Sequence, residues 1–195
     1  LADVLSLDVG RISLEPDLGV SARDSAQFIE LAKRRASHEP VSRILGYREF
    51  WGRRFHISPD VLDPRPDTET LIALALETSD LKTVLDLGCG SGIIAITLLS
   101  EISSIRGVAT DISPDCLELT LLNAKAHGVE GRLGVKKSNW FSAVGGTFDL
   151  IVSNPPYISE AEMETLSPDV FRYDPHLALT PGGDGTAPYS EIAKG

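Results

Sequence analysis

Thr83-Val-Leu-Asp-Leu-Gly-Cys-Gly-Ser-Gly92 passes from a strand signal to a helix signal, and the rest of the chain reads outward from it. Thr83 to Leu87 is a short apolar run with a single acid, as expected of a strand buried in a parallel sheet. Alternate glycines follow, then a helical stretch from about Gly92 to Ser100. The pattern repeats. Gly107-Val-Ala-Thr-Asp111 reads as a second strand. A second helix begins at Ser113-Pro114, with Ser at its N-cap, Pro in its first turn and Gly128 just past its end. A shorter strand over Leu133 to Lys137 and a strong one over Phe148 to Ser153 complete the run. This strand and helix alternation predicts a doubly wound α/β sheet.

Upstream the signals differ. Ser21-Ala-Arg-Asp24 resembles a capping box, and Ala26, Ile29, Ala32 and Ala36 recur at helical spacing, so a helix is predicted over Ser25 to Ser37. Tyr47 to Ile57 is aromatic and alternating, with Gly52 placed for a hairpin turn. Asp63-Pro-Arg-Pro-Asp-Thr-Glu69 is a proline-spaced loop whose Asp67 or Thr68 can cap a helix from Glu69 to Glu77. The expected organisation is a helical N-terminal domain over 1–45, a hairpin linker over 46–66 and an α/β domain over 67–195. A four-stranded sheet would leave the apolar Phe148 strand at an open edge, so the last strands are expected to be missing and the N-terminal domain incomplete.

Composition narrows the function classes. Of the 195 residues 42% are hydrophobic, and mean hydropathy is +0.01, which suits a globular chain with a sizeable core. No apolar run is long enough to span a bilayer, and no secretory leader opens the sequence, so a cytoplasmic protein without a membrane partner is expected, and a monomer. Cys89 and Cys116 have neither disulfide nor zinc spacing. The net charge of -10 is uneven: residues 1–56 carry nine Lys and Arg against eight Asp and Glu, and residues 57–195 carry nine against twenty. That balance disfavours nucleic acid as the direct substrate. Arg43, Arg48, Arg53 and Arg54 are read as a solvated face rather than a basic patch.

The loop after the first strand carries the chemistry. Asp86-Leu-Gly-Cys-Gly-Ser-Gly92 lies where glycines let backbone approach a ligand and a helix N-terminus offers unpaired amides. A dinucleotide fingerprint calls for glycine at position 93, where Ile93 stands; G-x-G-x-G with a preceding acid favours S-adenosylmethionine instead. Asp86, or a water it holds, can face the cofactor's ammonium group, with Gly88, Cys89, Gly90, Ser91 and Gly92 bordering the remainder. Asp111, 19 residues after Gly92 at the end of the second strand, is placed to accept from both ribose hydroxyls or to cap the next helix. Trp140 is read as an adenine-stacking ring or a core tryptophan.

Asn154-Pro-Pro-Tyr157 ends the fourth strand, where consecutive prolines stop the ladder. The Asn154 side-chain oxygen and the Pro155 carbonyl can accept both hydrogens of a planar NH2 group, Pro155 and Pro156 hold the carbonyls in fixed directions, and Tyr157 can pack over a flat amide or base. Asn154, Pro155, Pro156 and Tyr157 are therefore the candidate catalytic residues, and Asn154 also borders the cofactor. His38, His56, His127 and His176 show no ligand spacing, so no metal is expected.

Together with Pro64-Arg-Pro-Asp-Thr-Glu69 and Pro40-Val-Ser-Arg-Ile-Leu-Gly-Tyr-Arg-Glu-Phe50, these motifs resemble the HemK-type protein-(glutamine-N5) methyltransferases, from about Ala32 onward. Asp174-Pro-His-Leu-Ala-Leu179 and Gly182-Gly-Asp-Gly185 extend the likeness. The resemblance implies a class I, Rossmann-like S-adenosylmethionine-dependent methyltransferase acting on the Gly-Gly-Gln glutamine of class 1 peptide chain release factors. It implies S-adenosylhomocysteine as product, a release factor gripped by the N-terminal domain, and Arg65 and Thr68 near the substrate. The family commonly has Asp where Asn139 stands and retains Trp140. Competing readings are a ribosomal-protein glutamine methyltransferase, an adenine or guanine amino-methyltransferase, and a noncatalytic cofactor-binding module.

Overall fold

The structure, a computed structural model, describes residues 1–15 and 17–195. Its contacts divide the chain into two units, Leu1–Leu45 and Gly46–Gly195. The first holds helices α1 (Ala2–Leu5), α2 (Val9–Leu14), α3 (Ala22–Ala36) and α4 (Val41–Leu45). Ser21 caps α3 by accepting from the Asp24 N–H, and Lys33, Arg34 and Arg35 in its last turn oppose the negative end of the helix dipole. None of its residues is buried, and Phe28 and Ile29 are exposed.

The second unit begins with the hairpin β1 (Tyr47–Phe50) and β2 (Arg53–His56), paired from Tyr47 opposite His56 to Phe50 opposite Arg53. Trp51 and Gly52 turn it with φ of 50° and 67°, the positive pair that a two-residue turn of matching twist requires. Phe50 and Phe55 sink into the core edge to face. Helix α5 (Thr68–Leu76) follows the proline-spaced loop. Asp67 occupies its N-cap position without making the capping bond predicted from sequence: it is already in helical conformation, which turns its carboxylate away from the first-turn amides.

The sheet comprises β3 (Thr83–Leu87), β4 (Arg106–Asp111), β5 (Leu133–Lys137) and β6 (Leu150–Ser153), all parallel, in the order β5-β4-β3-β6. Helices α6 (Ile93–Glu101) and α7 (Pro114–Ala126) make the crossovers from β3 to β4 and from β4 to β5. The last segment holds α8 (Glu160–Met163), α9 (Pro168–Tyr173), α10 (His176–Leu179) and α11 (Ala187–Lys194). Ile93 to Leu99 of α6 are all buried, making it the central apolar rod of the core. The strand predicted from Phe148 begins two residues later, at Leu150, because Asp149 is used otherwise: its Oδ2 accepts from the Lys82 and Thr83 N–H groups and the Thr83 hydroxyl, which pulls its pKa down. Strand β6 stands at one end of the four described strands, with Ile151 exposed and Val152 buried.

The strand order places the site. From β3 the chain moves outward to β4 and β5, then returns to β6 on the other side of β3, so the direction of winding reverses between β3 and β6. A crevice opens at the carboxyl ends of strands flanking such a reversal. Leu87 is in register with both Thr110 and Ser153, so Gly88, Asp111 and Asn154 are the next residues on three adjacent strands.

Candidate functional site

Gly88, Gly90 and Gly92 all have positive φ, between 54° and 76°, which explains their alternation. The Gly88 and Cys89 N–H groups both donate to the Thr110 carbonyl, at 2.8 and 2.9 Å. Asp111 Oδ2 accepts from the Gly90 N–H and Oδ1 from the Ser113 N–H, each at 2.9 Å, so this carboxylate ties the glycine loop to the start of α7. It remains partly exposed and retains lone pairs for a ligand. Asp86 stands behind the loop. Its Oδ2 accepts from the Ala95 N–H at 3.1 Å, its Oδ1 has no partner among the described residues, and complete burial pushes its pKa up to about 7. It holds the start of α6 and does not line the cavity.

In front of the loop lies a cavity of about 600 Å³ bordered by Gly88 to Ser91, Asp111 and Trp140. Trp140, half-buried with φ of 49°, is set by Ser138, whose hydroxyl donates to the Trp140 carbonyl at 2.6 Å. Asn139 also borders the cavity and is exposed. Cys89 and Cys116 line it as free thiols whose pKa burial pushes up, to about 11 at Cys116, so neither is a ready nucleophile.

A second cavity of about 220 Å³ is bordered by Arg65, Asp67, Thr68, Asn154, Pro155 and Tyr157. Asn154 and Thr68 line both cavities, whereas Pro155 faces the small one and Pro156 the large one. Among the described residues nothing hydrogen-bonds the Asn154 side chain, and the Pro155 carbonyl accepts from no backbone N–H. Arg65 Nη2 meets Asp174 Oδ2 at 2.6 Å, and Asp174 Oδ1 accepts from the Asp63 N–H, tying the proline-spaced loop to the segment before α10. Behind the turn, Gly185 has φ of 83°, and a Cβ there would come within 2.2 Å of the Tyr157 carbonyl oxygen.

The family model described as Methyltransferase small domain matches residues 59–185, and the one described as PrmC N-terminal domain matches residues 1–46. A protein of Cereibacter sphaeroides named release factor glutamine methyltransferase is 48% identical over all of this chain and 70% of its own length. This chain belongs to the release factor glutamine methyltransferase family. A relative of the same name from Agrobacterium fabrum is 42% identical across 99% of this chain and 69% of its own. Among solved structures, the hMettl16 catalytic domain in complex with the MAT2A 3′UTR hairpin 6 superposes with a TM-score of 0.60 over 72% of this chain and 55% of that one. At 16% identity it shares the fold.

In this member of the release factor glutamine methyltransferases the arginines after the N-terminal unit are largely committed. Arg53 pairs with Glu101 at 2.7 Å, Arg48 lies 3.7 Å from Asp63, and Arg54 sits over the Tyr47 ring near Glu49. His127 meets the Arg54 carbonyl and stacks on Phe55, and His176 meets the Phe171 carbonyl. Among the described residues no cluster of His, Cys, Asp and Glu is arranged to hold a metal, and no helix is long and apolar enough to cross a membrane. Sequence reasoning missed Thr120 and Asn123, which hold the glycine loop from α7. Their one sequence signal is a polar pair inside the apolar run Leu119-Thr-Leu-Leu-Asn-Ala124.

Proposed function

We propose that this protein methylates the side-chain amide nitrogen of the glutamine in the Gly-Gly-Gln motif of class 1 peptide chain release factors, using S-adenosylmethionine. The observation that carries this reading is the meeting of two cavities at Asn154: a large one beside the glycine loop and a small one shaped for a slender polar side chain. The names of the two bacterial relatives support the same substrate class.

The large cavity fits the cofactor. Its volume lies in the range of sites for ligands of that size. Its lining suits an amino acid joined to a nucleoside: a Ser91 N–H with no acceptor among the described residues, the Asp111 carboxylate to accept from hydroxyls, and the Trp140 ring for a purine face. When bound, S-adenosylmethionine supplies an electrophilic methyl group on a sulfonium centre.

The protein's own contribution is alignment. An amide nitrogen is a weak nucleophile because its lone pair is delocalised into the carbonyl. Asn154 Oδ1 and the Pro155 carbonyl accept its two N–H hydrogens, which fixes the amide plane and turns one face of the nitrogen toward the large cavity. Those acceptors also favour the positive charge that develops on nitrogen during attack, and being held in place they need not reorganise. Arg65, oriented by Asp174, and Thr68 border the entering side chain, and Tyr157 covers its flat amide. The nitrogen sheds its proton after transfer without a strong base, since an N-protonated amide is very acidic. Two free, buried thiols suit a reducing cytoplasm, where we expect the enzyme to act as a monomer.

Mass spectrometry of the Gly-Gly-Gln peptide tests this, after incubating unmodified release factor with the protein and S-adenosylmethionine. A gain of one methyl group, lost when that glutamine is replaced by alanine, is the expected result. No gain despite measured cofactor binding would overturn the substrate assignment and leave ribosomal-protein or nucleic-acid amino groups as candidates.

A further inference from the structure

Helix α7 carries two buried polar groups that the proposed reaction leaves without a role. Thr120 and Asn123 are both 0% exposed and, three residues apart, share one face of the helix. Thr120 Oγ1 donates to the Gly90 carbonyl at 3.0 Å, and its side chain would lie 2.8 Å from a Cβ placed on Gly92. Asn123 Nδ2 donates to the Ser91 carbonyl at 2.9 Å and to the His56 carbonyl at 3.1 Å, while its Oδ1 accepts from the His56 N–H at 2.8 Å. Three consecutive loop residues therefore rest on α7, and the amide that holds the middle one also docks the hairpin.

The contacts have directional consequences. In a trans peptide the carbonyl and the following N–H point to opposite sides, and the described chain has no cis bond. Holding the Gly90 carbonyl against α7 therefore turns the Ser91 N–H the other way, toward the cavity that Ser91 lines. On the hairpin, His127 meets the Arg54 carbonyl two residues before His56, so side chains of α7 and its C-cap serve alternate residues of β2 as another strand would. Asn123 spends both donors and its acceptor in these bonds, so the loop and the hairpin share one bonded arrangement.

We infer that Thr120 and Asn123 are positioning residues for cofactor binding, and that Asn123 couples the glycine loop to the hairpin, so that cofactor binding and hairpin order reinforce each other. The inference rests on reading Gly88 to Gly92 as the S-adenosylmethionine loop. Coupling of this kind is reciprocal: whatever the loop gains from a docked hairpin, the hairpin gains from a filled loop.

Calorimetric titration of the intact protein with S-adenosylhomocysteine, a nonreactive probe, tests both parts. Absence of binding by the wild type would remove the reading of the loop itself, a failure distinct from that of this inference. Given binding, Thr120→Val, nearly isosteric but without the hydroxyl, is expected to weaken it about tenfold, and Thr120→Ser to remain within about twofold of wild type. Thr120→Val binding within twofold of wild type, with only a lowered melting temperature, would reduce Thr120 to a core residue and overturn the positioning role. For the coupling, hydrogen exchange of the wild type is expected to slow at residues 53–57 as well as 88–92 on saturation with the probe. Protection confined to the loop would overturn the coupling, with no variant required. Asn123→Ala is expected to abolish the hairpin response; an unchanged response would also overturn it.

Discussion

The glycine loop and the Asn154 to Tyr157 turn end neighbouring strands of one sheet, yet they are held by different means. Gly88 to Gly92 is fixed by bonds from outside itself: Thr110, Asp111, Thr120 and Asn123 each take a backbone group of the loop. Among the described residues nothing clamps the first two residues of the turn in this way. Two prolines remove backbone freedom, and Gly185 presses against the Tyr157 carbonyl from behind. In the proposed reaction the difference follows from what each presents. A loop that offers N–H groups needs its carbonyls held back, whereas a turn that offers an amide oxygen and a carbonyl must leave both uncommitted, so its rigidity has to come from covalent rings and packing.

The largest effect is expected where the uncommitted groups are removed. Asn154→Ala should lower the rate of methyl transfer about 10²–10³-fold, with S-adenosylhomocysteine affinity within about threefold of wild type. Equal losses in both would erase the distinction between the turn and the loop. Gly185→Ala comes next: its Cβ would overlap the Tyr157 carbonyl, and displacing the turn by about an ångström should cost on the order of 10²-fold in rate, again with the cofactor site intact. A full-rate alanine variant would show that the turn does not depend on that backing.

Gly92→Ala probes the other region. The residue has φ of 76°, and an added methyl would meet Thr120 and Ile96 below 3 Å, so about tenfold weaker cofactor binding is expected in titration, with turnover at saturating cofactor less affected. The smallest change in activity is expected for Asp86→Asn, since the carboxyl lies behind the cavity wall; its signature is in stability. Burial raises the folded pKa to about 7 from an ordinary 3.8, so between those values the folded chain holds a proton that the unfolded chain has released. Stability therefore falls as pH rises from about 4 to about 7 and this contribution is level above. Denaturant titrations of wild type and Asp86→Asn at pH 4.5 and 7.5 should show the variant gaining relative to wild type at the higher pH. A constant difference would place a charged carboxylate in the core. Comparing the two proteins cancels Asp149, Glu162 and Asp184, whose lowered pKa values favour the fold at higher pH.

Much of this architecture was legible before any coordinates, because its causes are local. Alternate glycines, Ser113-Pro114 with Gly128, Ser21 with Asp24, and the Trp51-Gly52 turn each act within a few residues, and each stands where the pattern put it. Local rules failed where a side chain found a distant partner. Asp67 has the right position for a cap and the wrong backbone angles. Asp149 reads as part of a strand but pins Thr83, 66 residues earlier. Asp86 reads as a ligand group but is sealed beneath α6, and Asn123, which no local pattern singles out, bonds His56 and Ser91.

By itself the sequence determined the strand and helix alternation and the two motifs of the candidate site, since glycine conformation, proline rigidity and apolar period are properties of short stretches. Only the tertiary structure decided that the two motifs meet. Parallel register brings Gly88, Asp111 and Asn154 to the same level, reversal of the winding opens a crevice between them, and α7 supplies the polar pair that holds the loop. Register and burial depend on packing between segments far apart in the chain, and no short stretch contains that information.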